Sequence, residues 1–386
     1  MADALGELVQ EVVCAMRQEP DVKIERFDSL GAGYTSALFK IRVTPQMPDD
    51  LHLFAKVASF GTSMRSKINA DWMYSNEQFV YNKLVKVYDS IQRSKGLAVD
   101  HRFVFPKFYG CNSEYGKETI ITEDLTARGF VSYDRLKSMD WTHATAAVET
   151  LARFHALSFA FELEQPEEFN RITKGMGYRM GSQEEDDSMK DLWCQMVEGA
   201  VAALDPEYAQ RVRKLVYDQK FVSSYNKPID KVVLAHGDYR LSNLFFKKED
   251  VGLQVRAVDY QLVHAGCPVS DLIYFITVGS DQEFRARYFY DLVDYYHDQL
   301  ALALDRLGLD IDDIYPRKTF DKELVEIMPH AVLIGVMVLP AVTVDTDAVP
   351  KMDESADVSN FMMKPNKLFT ERFHGIVEDC IDWGVI

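Results

Sequence analysis

Two β-type runs near the start of the chain, SALFKIRV (36–43) and LHLFAKVA (51–58), flank TPQMPDD, whose two prolines and two aspartates mark a turn. They read as a hairpin. From about residue 125 the apolar spacing becomes helical, as in the alanine-rich WTHATAAVETLARFHALSFAFELE (141–164). This change of period constrains the fold most: a small antiparallel sheet comes first, then a larger, mainly helical unit. The class is α+β with two lobes, 1–124 and 125–386, and a chain of 386 residues is long enough for both.

Both lobes need apolar material, and hydrophobic residues make up 47% of the chain, so it is globular rather than disordered. Its formal charge of −17 repels phosphate backbones and anionic lipid, which argues against nucleic-acid and membrane-surface partners. Cys14, Cys111, Cys194, Cys267 and Cys380 are scattered and form no C-x-x-C, so neither a disulfide framework nor a zinc site is suggested. The first twenty residues lack a basic stretch followed by an apolar one and read as a short amphipathic helix ended by Pro20. The most apolar segment, AVLIGVMVLPAVTV (331–344), contains Pro340 and is too short to span a bilayer, so a buried helix is expected and membrane insertion is not. A cytoplasmic, reducing location follows as the expectation.

The most informative stretch is AHGDYRLSN (235–243), directly after the apolar KVVL. Its plain reading is a strand ending in a turn, because Gly, Asp, Ser and Asn favour turns. The chemical reading makes Asp238 a base and Asn243 a metal ligand, five residues apart as in the catalytic loop of protein kinases. Other signals stand in the order that phosphoryl transfer requires. Gly31 and Gly33, between two β-like runs, either make an ordinary turn or let backbone approach phosphates. Lys56 shares a strand face with Phe54, opposite Leu53, Ala55 and Val57, and is either an edge charge or a phosphate grip. Glu77 lines up with Tyr81, Leu84 and Tyr88 on one helical stripe, where it is either solvated or paired with Lys56. KETIITEDL (117–125) is a strand with an acidic exit. Asp259 ends the strand-like VRAVD, where an unpaired carboxylate costs free energy unless it holds a cation. No common structural reason explains this whole series, and Asn243 with Asp259 suits the hard ion magnesium, which brings ATP as the cofactor.

Among the histidines, His155 is expected to be a buried helix residue bonded to the catalytic region, and His236 a brace of the Asp238 loop. Asp271, in CPVSDLIYF, is either a helix-entry carboxylate or a second brace.

The stretches NEQFVYNKL, ITEDLTARGF, LARFHALS, LAHGDYRLSNLFF and VDYQLVHAGCPVSDLIYF resemble the insect ecdysteroid kinase-like family, a relative of choline and aminoglycoside kinases. The resemblance runs along nearly the whole chain. It implies a two-lobed, protein-kinase-like fold with Asp238 as the catalytic base and Asn243 and Asp259 as magnesium ligands. Gly31, Gly33, Ser36, Lys56, Glu77, Glu123 and Leu125 form the expected ATP-binding set. It also implies a small-molecule alcohol as substrate, an ecdysteroid phosphorylated at its 22-hydroxyl to give an inactive conjugate. Tyr260 stands where the family usually has Phe, a mild departure, and the compact glycine loop leaves its phosphate contacts open. No A-P-E segment follows Asp259, which argues against a protein substrate. The alternatives are a choline- or ethanolamine-like kinase, with aromatic residues caging an ammonium, and a non-catalytic binder that kept the shape. The aromatic run FRARYFYDLVDYYHD (284–298) could line either acceptor site, though its rings are expected mostly in the core.

Overall fold

The early hairpin forms within a five-stranded antiparallel sheet of order β1-β2-β3-β5-β4 in the computed structural model, which describes residues 2–14, 21–27, 36–44, 50–179, 187–349 and 363–386. Helix α1 (Ala2–Cys14) precedes β1 (Asp21–Phe27), β2 (Ser36–Thr44) and β3 (Leu51–Ala58). Helices α2 (Thr62–Lys67), α3 (Ala70–Phe79) and α4 (Val85–Ser94) follow, and then β4 (Phe108–Asn112) and β5 (Thr119–Glu123). Period-two alternation decides the faces of β3. Leu53, Ala55 and Val57 are buried with Ile41, Val43 and Ile121 against Leu5, Leu8, Val9 and Val12 of α1. Each of the Leu, Val and Ile side chains contributes roughly 1.5–3 kcal/mol through burial. Lys56 is thereby left on the opposite face.

A π-helical segment, Val80–Leu84, joins α3 to α4 in one continuous rod. The expected stripe holds, since Glu77, Tyr81, Leu84 and Tyr88 are all buried. A buried glutamate on an apolar stripe needs a partner, and the site supplies one.

The remainder is mainly helical. It begins with β6 (Val131–Ser132), α5 (Trp141–Glu164), α6 (Pro166–Gly175), α7 (Asp187–Val201), α8 (Pro206–Val216) and α9 (Gln219–Ser224). Four short strands carry the polar loops: β7 (Val233–Ala235), β8 (Leu244–Lys248), β9 (Leu253–Ala257) and β10 (His264–Gly266). Then come α10 (Pro268–Gly279), α11 (Gln282–Arg306), α12 (Ile311–Ile314), α13 (Arg317–Ile327), α14 (His330–Met337), α15 (Leu339–Thr343) and α16 (Lys367–Asp382). The Asp140 side chain caps α5 by accepting from the His143 amide, and buried Ala144, Ala147, Ala152, Ala156 and Ala160 keep the helix slim within the core. Helix α5 packs along α11, where Phe284, Phe289 and Tyr296 are buried and Tyr290 is exposed. The apolar segment 331–344 is buried as expected but forms two helices, because Pro340 offers no amide to continue α14. Among the described residues no helix is long and apolar enough to cross a membrane. The architecture is a two-lobed α+β fold with a small antiparallel sheet and a larger helical lobe.

Candidate active site

Two antiparallel pairings set up the polar loops. Strand β7 pairs with β10, β8 pairs with β9, and the segment 236–243 runs between β7 and β8. Gly237 adopts φ +78°, and a Cβ there would lie 2.3 Å from the Leu262 carbonyl oxygen, so only glycine fits. The Asn243 carbonyl accepts from the Val258 amide at 2.9 Å, which ties the end of this loop to the residue before Asp259. Asp259 itself has φ 67°, a left-handed conformation uncommon for an aspartate outside functional sites or turns.

Asp238 is surrounded by donors. Its Oδ2 accepts from Asn243 Nδ2 at 2.8 Å, its Oδ1 accepts from the Tyr274 hydroxyl at 2.5 Å, and Arg240 Nε lies 3.0 Å from Oδ1. His236 Nδ1 accepts from the Asp238 amide at 3.3 Å. Asp271, on the first turn of α10, accepts from the amides of His236 and Gly237 at 2.6 and 2.8 Å. His155 of α5 lies behind it, with Nε2 3.1 Å from Asp271 Oδ2 and Nδ1 2.7 Å from the Tyr296 hydroxyl. The bracing expected of His155, His236 and Asp271 is therefore the geometry found, and Asp271 braces the loop in addition to opening a helix. Burial opposes ionisation of Asp271, but His155 and the Gly237 amide outweigh it and hold the carboxyl below its ordinary range. Burial likewise pushes the His236 imidazole down, against the pull of Asp271 and Asp238, which keeps Nδ1 an acceptor.

The lysine half assembles across the lobes. Lys56 Nζ lies 2.9 Å from Glu77 Oε2 and 2.6 Å from Asp259 Oδ1. Burial by itself would lower the ammonium pKa, but Asp259 and Glu77 together hold it above the ordinary lysine value. For Glu77 burial wins and raises the carboxyl, whereas Lys56 outweighs burial at Asp259 and lowers it. Asn76, beside Glu77, donates through Nδ2 to the carbonyls of Gln261 and Val263 at 3.2 and 3.0 Å. The helix bearing Glu77 and the segment after Asp259 are thus stitched together.

The remaining expected residues are more dispersed. Ser36 is buried at the start of β2, opposite Ala58. Glu123 stands opposite Leu53, three residues along β3 from Lys56, and Leu125 follows the strand. The Glu123 carboxylate accepts from the Lys107 amide at 2.8 Å and pairs with Arg128 at 2.5 Å, and the Glu123 amide donates to the Lys107 carbonyl at 2.9 Å. Gly31 and Gly33 lie outside the described residues. Tyr260 is fully buried and donates to the Ala257 carbonyl at 3.1 Å, which explains how a tyrosine is accommodated where the family usually has Phe.

Sequence reasoning missed three residues: Tyr274, Arg240 and Asn76. Tyr274 had a usable signal, since it stands three residues after Asp271 on a helix and so shares its face.

The family model for the ecdysteroid kinase-like family matches residues 30–309. Among solved structures, a microcompartment-associated aminopropanol kinase matches with 10% identity and a TM-score of 0.43, covering 97% of this chain and 98% of its own. An aminoglycoside-3'-phosphotransferase of type VIII matches with 13% identity and a TM-score of 0.35, covering 83% and 99%. No curated protein matches. Scores this low leave the family match to carry the assignment.

Proposed function

The chain belongs to the ecdysteroid kinase-like family, and we propose that it is an ATP- and magnesium-dependent kinase of an ecdysteroid hydroxyl, the 22-hydroxyl, with an inactive phosphate conjugate as product. Membership makes it a phosphotransferase with a small-molecule acceptor. The observation that supports the use of ATP and magnesium is the convergence of Lys56, Glu77 and Asp259, from three separate elements, beside a loop that holds Asp238 and Asn243.

The donors suit magnesium. Asn243 commits its amide nitrogen to Asp238, which turns its carbonyl oxygen elsewhere, and Asp259 commits only Oδ1 to Lys56. Both remaining atoms are hard oxygen donors. Among the described residues no three or more His, Cys, Asp and Glu gather into a metal-holding group, so the other ligands fall to phosphate oxygens and water. The chemistry magnesium supplies when bound is neutralisation of charge on the phosphate oxygens.

In this reading Asp238 orients the acceptor hydroxyl and takes its proton as the oxygen attacks the γ-phosphorus in line. Lys56 grips the phosphates and Glu77 keeps it in place. Gly31, Gly33 and Ser36 cover the phosphates, while Glu123 and Leu125 meet the nucleotide base through backbone groups. Residues 1–124 then form the nucleotide lobe and 125–386 the catalytic and acceptor lobe, at work in the cytoplasm.

A neutral acceptor is favoured over an amino alcohol by the charges at the base. Asp238 is paired with Arg240 and Asp259 with Lys56, so among the described residues these carboxylates are already matched. The deciding experiment incubates the protein with magnesium and labelled ATP against ecdysone, choline, ethanolamine and a protein mixture, and identifies the phosphorylated product by mass spectrometry. A steroid 22-phosphate is expected. Phosphocholine or phosphoethanolamine without steroid phosphate would refute the steroid assignment, and no product of any kind would point to a binder.

A further inference from the structure

Tyr274 is a buried phenol that meets Asp238. It is 5% exposed, and its hydroxyl donates to Asp238 Oδ1 at 2.5 Å. Buried tyrosine hydroxyls usually find a hydrogen-bond partner, and others in the same core use backbone or structural side chains: Tyr239 donates to the Ala147 carbonyl at 2.7 Å, Tyr260 to that of Ala257 at 3.1 Å, and Tyr315 to the Glu323 carboxylate. Tyr274 instead takes the base. A carboxylate oxygen accepts through two lone pairs: Oδ2 accepts from Asn243 Nδ2 at 2.8 Å and Arg240 Nε at 3.2 Å, and Oδ1 accepts from the Tyr274 hydroxyl. Burial, followed by the Asp238 charge, keeps the phenol protonated far above its ordinary range, so it stays a donor.

An O–H donating to Asp238 is the same bond that an acceptor alcohol must make before it yields its proton. Water can make that bond too. In that case the water oxygen bonds to the γ-phosphorus, the bond from that phosphorus to the ADP oxygen breaks, the water proton passes to Asp238, and ADP and phosphate leave. We propose that Tyr274 is a positioning residue that keeps the acceptor's place on Asp238 closed to water, and so sets how much ATP is lost to hydrolysis. This rests on the phosphotransfer reading above.

The test is release of inorganic phosphate from magnesium ATP with no acceptor present. Tyr274→Phe keeps the ring and removes the donor, and it should raise that release about tenfold, the factor governed by an ordinary hydrogen bond to a charged group. Tyr274→Gln, which retains an N–H donor, should return the rate toward that of the parent. Merely structural damage would lower hydrolysis, so the sign separates the two roles. Should Tyr274→Phe melt early, Tyr274→Met removes the donor equally well. Hydrolysis that is unchanged or lower in a folded donor-free variant overturns the proposal. Asp238→Asn run alongside tests the premise: if it leaves phosphate transfer at the parent's rate, the phosphotransfer reading has failed rather than the role of Tyr274.

Discussion

The two halves of the site are held by different means. Around Asp238 the bracing is a dense network of hydrogen bonds, with Asp271 on two loop amides, His155 behind Asp271, and Asn243 on both the carbonyl and the carboxylate of Asp238. The Lys56 half depends on two ion pairs, one of them joining residues 203 positions apart. A satisfied network of buried hydrogen bonds rigidifies its members, whereas a partly buried ion pair gains little net stability because desolvation offsets attraction. The loop half is therefore built to stay fixed, and the lysine half follows how the lobes sit. Proton transfer from a bound hydroxyl needs a base placed within hydrogen-bond reach, while a phosphate grip tolerates more movement.

The largest expected effect falls on the fixed half. Asp238→Asn should cut turnover by about 10²–10⁴, the usual worth of a positioned base, with ATP binding nearly intact by calorimetric titration. Asparagine keeps the size but cannot accept the proton. Parent-like turnover would reduce HGDYRLSN to a turn and dissolve the contrast.

Next comes the lysine half. Lys56→Ala and Glu77→Ala should each lower kcat/KM for ATP, and the double variant should depart from additivity by on the order of 0.5–3 kcal/mol in activation free energy. Strict additivity would mean that the two residues do not act as a unit.

The bracing should show itself in stability. Asp271→Asn keeps one acceptor oxygen for two loop amides and should cost roughly 1–3 kcal/mol in urea unfolding at neutral pH. Because the Asp271 carboxyl is held below its ordinary value, its contribution is fully present above the unfolded pKa of about 3.9 and is lost as pH falls through the lower folded value. The parent should therefore lose stability more steeply than the variant below about pH 4. Equal slopes would remove Asp271 from the bracing.

Asn76→Ala should give the smallest change, about 1 kcal/mol in stability and a few-fold loss in turnover, because two carbonyls lose a shared donor. The loss in turnover should vanish in a Glu77→Ala background if Asn76 acts by keeping Glu77 and Asp259 in register.

Much of this was legible along the chain. The α5 boundaries follow from periodicity, the 77-81-84-88 stripe survives the π segment, and the division of β3 into a buried face and a lysine face is a matter of alternation. Family-like order singled out Asp238, Asn243, Asp259, Lys56 and Glu77, and the fold joins Asn243 to Asp238 and Glu77 and Asp259 to Lys56. The commitment of the Glu123 side chain to Lys107 and Arg128 was not legible, because the β4–β5 register brings Lys107 there and no local pattern records it.

The sequence by itself determined which chemical groups exist and on which local element each one rides, since periodicity, capping and turn propensity act over a few neighbouring residues. Only the tertiary structure decided that Lys56 reaches Asp259, that Asn76 bonds the carbonyls after it, and that Tyr274 donates to Asp238. Those meetings depend on how whole helices and sheets pack, and packing sums contributions from the entire core rather than from any one stretch of the chain.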